Sequence, residues 1–152
     1  AFHDALARLY SPRCQGGTHT APLNDIITWI NAPAGSKAPI MWLNGKPNTG
    51  TSTVAQTIAD KCADAKLLLA SFFFSGSDDT GETRNLLPTI AYQIAIKNPV
   101  LRSAVGQAVE NDPLIFERNP DIQMQSLIME PLVAANLDPS TFPRLVIIDG
   151  LD

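Results

Sequence analysis

Ile40-Met41-Trp42-Leu43-Asn44-Gly45-Lys46-Pro47-Asn48-Thr49-Gly50-Thr51-Ser52 is the stretch on which the fold turns. Its first four residues are a short continuous apolar run, the pattern of a strand buried on both faces of a parallel sheet. A glycine-containing loop follows. Beyond it Val54, Ala55, Ile58, Ala59 and Cys62 recur on one face, so Thr53 to Ala65 is predicted as a helix. Downstream, Leu67 to Phe74 is apolar apart from Ser71 and reads as a second strand, with Phe72, Phe73 and Phe74 in the core rather than in a binding patch. Leu145-Val146-Ile147-Ile148 reads as a third. Between these strands, Leu86 to Ala95 marks a helix ending near Asn98-Pro99, Leu101 to Val109 marks another, and Ile122 to Leu132 a further one with Pro131 near its end. Upstream, Leu23, Ile26, Ile27 and Ile30 mark a short amphipathic helix, preceded by loop-like residues 1–20. Strands alternating with helices imply an α/β fold with a parallel sheet.

The chain has 152 residues, 45% of them hydrophobic and 17% charged, enough for one folded domain with its own core. A net charge of −4, with no basic block, argues against nucleic acid or an anionic membrane surface as a main partner. The longest apolar runs reach about eight residues, well short of the ~20 a membrane-spanning helix needs. Cys14 and Cys62 stand apart, with no CxxC and no histidine at metal spacing. That pattern points to reduced thiols and a cytoplasmic location.

Gly45, Gly50 and Ser52 stand in the register of the phosphate-binding loop, G-x-x-x-x-G-K-[ST]. In that loop the glycines let backbone N–H groups wrap phosphates at a helix N-terminus, the lysine reaches the β- and γ-phosphates, and the hydroxyl binds Mg²⁺. Gly45, Lys46, Pro47, Asn48, Thr49, Gly50, Thr51 and Ser52 are therefore the candidate nucleotide-binding residues, with Thr51 at the lysine position. Taken alone, the same residues also describe a bare glycine turn between a strand and a helix. The second candidate is Leu145 to Asp152, four aliphatics delivering Asp149 at the carboxyl end of a strand, where open α/β sheets bind ligands. Asp149 would hold Mg²⁺ together with Ser52, and Asp152, beyond the strand, would position water as the candidate catalytic residue. An Asp-Gly turn capping a strand is common, but the two motifs occur in the required order, roughly 100 residues apart.

With the stretches MWLNGKPNTGTSTVAQTIADKC, LLLASFFFS, LLPTIAYQIA and LVIIDGLD, and upstream CQGGTHT and DIITWI, the chain resembles the NACHT-type P-loop domain of fungal STAND proteins, also described as a nephrocystin-like N-terminal domain. The resemblance covers nearly the whole chain. It implies a P-loop NTPase-like three-layer sandwich, with a linker and short helix over residues 1–36 and a partial nucleotide-binding domain over 37–152. It also implies ATP or GTP with Mg²⁺ as ligand, and a switch between closed and oligomeric states within a larger NLR-like signalling protein. Self-oligomerisation through the full-length protein is implied in the same way, as is a part in non-self recognition and cell death.

Two departures qualify the resemblance. Thr51 is neutral and too short to span to the β/γ oxygens, and Lys46 reads as a solvated surface lysine rather than a substitute. The chain also stops at Asp152, where the family continues with a glutamate and a sensor strand. The implied domain is thus C-terminally truncated, with an unfilled slot in its sheet between the strand before the loop and the strand ending at Asp149. Other residues are discounted: Trp29 and Trp42 as core or interface aromatics, His3 and His19 as loop residues without an acid–base partner, Arg84 as a surface residue, and Asp78, Asp79 and Glu82 as a solvated loop. Three readings compete: a nucleotide-dependent switch with weakened binding and hydrolysis, a structural or oligomerisation module without nucleotide, and a small P-loop kinase, which the missing lysine and lid disfavour.

Overall fold

The computed structural model describes the chain except for Ala34, Lys37, Pro47, residues 76–79, Pro139 and Asp152. Its elements are α1 (Thr20–Asn31), α2 (Thr51–Asp64), β1 (Leu68–Phe73), α3 (Thr80–Lys97), α4 (Pro99–Asn111), α5 (Pro120–Met124), α6 (Glu130–Ala135) and β2 (Leu145–Asp149), with a 3-10 turn at Leu6–Arg8. Local chemistry sets several of the boundaries. Gly50, at φ 84°, adopts the left-handed turn that admits the chain to α2. Asn98-Pro99 and Asn119-Pro120 each open a helix the same way: the asparagine side chain accepts from Val100 N or Ile122 N, and proline, which has no N–H to satisfy, takes the first turn.

β1 and β2 pair in parallel, Leu68 opposite Leu145 and Phe73 opposite Asp149, with a register shift between Leu68 and Ala70. Every residue of β1 is buried, so each of its backbone groups needs a partner. On the side away from β2 those partners are not a strand. The Gln93 side-chain amide supplies Oε1 to Ser71 N at 3.0 Å and donates Nε2 to Ser71 O at 2.9 Å, doing at one residue what a neighbouring peptide would do. Two residues on, the Ala1 backbone serves Phe73, with Phe73 N donating to Ala1 O at 2.7 Å and Ala1 N to Phe73 O at 2.6 Å.

Two clusters of buried side chains hold the helices to the sheet. One joins Leu69 and Ala70 of β1 to Leu87, Ile90 and Ile94 of α3, Leu101 of α4, and Leu127 and Ile128. The other joins Leu68 and Phe73 to Val54, Ile58, Ala59 and Cys62 of α2, with Leu23, Ile26, Ile27 and Ile30 of α1 packed against it. The parallel α/β character and the helices read from periodicity are thus present, with wider ends than the apolar positions alone mark.

The structure corrects the sequence reading in three places. Residues 40–43 do not form a strand. Ile40 is 76% and Trp42 71% exposed, so Trp42 is not a core side chain. Among the described residues the sheet therefore has two strands rather than three. The physical reason is pairing: a groove separates this segment from β2, so it has no ladder to join, and Val146 and Ile148 of β2 stay partly exposed. Second, the helix expected over Ile122 to Leu132 is interrupted by a π turn at Gln125–Met129, after which Pro131 stands in the first turn of α6. The wide turn changes the hydrogen-bond spacing just before a residue that lacks an N–H. Third, Glu82 is no loop residue. It lies in the first turn of α3 and accepts from Ser75 N at 2.7 Å, while Asp78 and Asp79 lie outside the described residues.

Gln93→Leu keeps the volume but leaves the buried Ser71 N–H and C=O without their partner. It should cost roughly 1–3 kcal/mol for each group left unsatisfied, read as a lower urea midpoint. Tyr92→Leu, at an exposed neighbour, should leave the midpoint within about 0.5 kcal/mol.

Candidate functional site

The loop from Gly45 to Ser52 is curled on itself. Thr49 donates both its N–H, at 3.1 Å, and its hydroxyl, at 2.7 Å, to Lys46 O, and Asn48 has φ 64°. A Cβ on Gly45 would run into the Thr49 hydroxyl and lie 3.0 Å from the Thr51 methyl, so this glycine is required by close approach. A Cβ on Gly50 would lie 3.0 Å from His19 Nε2, so the imidazole of His19, in the segment before α1, is seated against the loop. Val54 N donates to Gly50 O at 2.9 Å and starts α2, whose first amides have no partner within the helix. Lys46 and Ser52 are exposed, Thr51 is half-buried, and Pro47 lies outside the described residues.

Asp149 ends β2, and its carbonyl accepts from Phe74 N at 3.0 Å. Gly150 turns away at φ 81°, with room for no more than a hydrogen, since an added Cβ would lie 3.0 Å from Phe74 Cβ. A cavity of about 570 Å³ runs between residues 39–45 and β2. Gly45, Thr51, Asp149 and Gly150 all line it, and its remaining wall is mostly apolar, including Trp29, Ile40 and Trp42. Two motifs roughly 100 residues apart in sequence thus meet on one cavity. Lys46 and Ser52 are not among its lining residues, and Asp152 lies outside the described residues. Arg84 is exposed, as its sequence context implies.

Sequence reasoning missed the side chains that the N-terminal segment brings in. Arg8 Nε donates to Gln56 Oε1 at 2.9 Å, and its guanidinium carbon lies 4.2 Å from the centre of the Phe73 ring. Gln56, fully buried in α2, also donates to His3 O at 2.9 Å and to Asp60 Oδ1 at 2.8 Å. Asp60 in turn accepts from Arg13 Nε at 2.9 Å, and Thr57 Oγ1 accepts from Cys14 N at 2.9 Å. Burial holds the Arg8 guanidinium below its usual range, with the Asp149 carboxylate pulling the other way and Arg13 and Asp60 adding smaller opposed effects. Residues 1–14 are thus pinned along α2 and across the end of β1. No periodicity could have announced it, because single polar residues carry each contact. Both cysteines are free, and burial pushes the Cys62 thiol up.

These features define a mixed α/β protein built on a parallel strand pair, with a glycine loop and a strand-terminal aspartate facing one cavity. The family described as Nephrocystin 3, N-terminal matches residues 21–152, and the chain belongs to it. No curated protein and no solved structure gives a significant match. No helix among the described residues is long and apolar enough to cross a membrane.

Two glycines, one lining the cavity and one inside α4, should respond with opposite sign to a methyl group. Gly150→Ala places a side chain at positive φ against Phe74 and should cost about 1–2 kcal/mol. Gly106→Ala, inside α4 with nothing within 4 Å of the new methyl, should stabilise by about 0.5–1 kcal/mol. Urea titration of the two variants reads both signs.

Proposed function

We propose that the chain is a nucleotide-binding switch module of a larger cytoplasmic signalling protein of the NACHT-type STAND class, taking ATP or GTP with Mg²⁺ through a weakened P-loop. The observation that carries this reading is the convergence of Gly45 and Thr51 with Asp149 and Gly150 on one cavity, in a chain of the nephrocystin 3 N-terminal family. The loop residues Gly45 to Ser52 would cradle phosphates through backbone N–H groups and the α2 N-terminus. Asp149, on the cavity, and Ser52, at the exposed start of α2 outside its lining, would supply the hard oxygen donors that Mg²⁺ takes, with phosphate oxygens and water making up the rest of its shell rather than an all-protein cage. When bound, the ion neutralises charge on the β- and γ-phosphates. Asp152 would orient water.

Thr51 sets the limit of this machinery. A P-loop lysine follows the charge that develops on the γ-phosphate, and a threonine hydroxyl cannot. Ground-state binding through backbone donors survives that loss far better than hydrolysis does. Oligomerisation would then follow the nucleotide state in the full-length protein. The competing reading, a structural or oligomerisation module without nucleotide, draws on the same Thr51 and on the apolar side chains of Ile40 and Trp42 left open to solvent.

Thr51→Lys restores a charge-assisted hydrogen bond of roughly 1.5–3 kcal/mol, so ATP or GTP should bind about 10- to 100-fold more tightly by titration calorimetry with Mg²⁺. Absence of binding by both proteins at millimolar nucleotide would leave the structural-module reading standing in its place.

A further inference from the structure

Asn44-Gly45 is the only Asn-Gly pair in the chain, and both of its residues line the cavity at the entry to the glycine loop. Asparagine is labile where the amide nitrogen of the next residue can reach its side-chain carbonyl carbon. Glycine allows that approach best, because no Cβ screens the nitrogen or restricts the backbone. The fold leaves this pair open to the reaction. Neither residue belongs to a helix or strand, and Asn44 is exposed, so water reaches it. Among the described residues, the Asn44 side chain and the Gly45 N–H have no hydrogen-bond partner. Several other asparagines are held differently. In the same loop Asn48 precedes Thr49, whose N–H is engaged by Lys46 O at 3.1 Å. Asn98 and Asn119 accept from Val100 N and Ile122 N and precede proline, which has no N–H to attack with. Asn24 and Asn85 lie inside α1 and α3, where the following N–H joins the helix ladder.

We propose that Asn44 is a deamidation site whose product writes a negative charge onto the cavity beside the glycine loop. The Gly45 amide nitrogen loses its proton to base and attacks Asn44 Cγ. The Cγ–Nδ2 bond breaks, ammonia leaves, and a cyclic succinimide joins the two residues. Water opens the ring on one side to aspartate, or on the other to isoaspartate, in which the main chain runs through the former side chain. Nothing is oxidised or reduced. Either product adds a carboxylate to a cavity that Asp149 already lines, while the lining cation, Arg144, precedes β2 and stands at the other end of that strand from Asp149. Isoaspartate also lengthens the main chain directly before Gly45, whose close approach to Thr49 and Thr51 shapes the loop. The consequence for ligand binding rests on the nucleotide-site reading above, and the modification itself does not. A polyphosphate arriving at the modified loop meets a like charge that the unmodified chain lacks.

The chemistry is tested by incubating the 152-residue chain at mildly alkaline pH, folded and unfolded in urea, and mapping its peptides by mass spectrometry. Asn44 should deamidate ahead of every other asparagine, and its folded rate should lie within a few-fold of its unfolded rate, because no native hydrogen bond has to open first. A folded rate far below the unfolded one, or modification led by another asparagine, would overturn the proposal. Asn44→Gln should resist modification at this position, since its longer side chain closes a less favourable ring. Calorimetric titration with ATP or GTP and Mg²⁺ reads the consequence. Asn44→Asp and the incubated parent should bind about 10-fold more weakly than the fresh parent, and incubated Asn44→Gln should keep the affinity it had before incubation. Equal affinity in Asn44→Asp and the fresh parent would overturn the charge effect. If neither the fresh parent nor Thr51→Lys binds ATP or GTP at millimolar concentration, the nucleotide-site reading falls, and the peptide map still decides the modification.

Discussion

Burial of the β1 backbone is the constraint around which the molecule is arranged. Its six residues are between 0 and 5% exposed, and a buried peptide group without a partner costs more than almost any single contact returns. One side of the strand is satisfied by β2, which arrives from far along the chain and in parallel, so α3 to α6 must form the crossover between them. On the other side, Ser71 is served by one side-chain amide and Phe73 by one stretch of N-terminal backbone. Gln93 can do this because a primary amide has the same donor and acceptor as a peptide. It also closes that edge, since a side chain offers no further ladder to a passing strand. Among the described residues the outer edge of β2 pairs with no strand, and it borders the cavity.

That asymmetry explains which elements were legible in the sequence. Helices α1 to α4 follow from periodic apolar positions and Asn-Pro starts, both of which act within a few residues. β1 and β2 are legible because each is apolar and each finds the other. Ile40 to Leu43 has the same composition, yet it remains outside the sheet. Composition states what a strand would bury, whereas pairing depends on a neighbour that no local pattern names. The π turn before Pro131 is illegible for a related reason. Leu127 and Ile128 must both be buried against α3 and α4, a demand that comes from the packing and not from the segment's own periodicity.

In the candidate site the glycines are the readable part. Gly45, Gly50 and Gly150 each occupy a place where a side chain would collide or take a strained conformation, and glycine is the residue that marks such places in any sequence. Their spacing therefore carries information even before a fold is known. Gln56 is the opposite case. It interrupts the apolar pattern of α2 and is fully buried, and its role emerges only when Arg8, His3 and Asp60 are gathered around it. These partners lie far apart in sequence except for Asp60, one turn away on the same helix. Isolated polar residues joined by tertiary contacts leave no trace in composition or spacing.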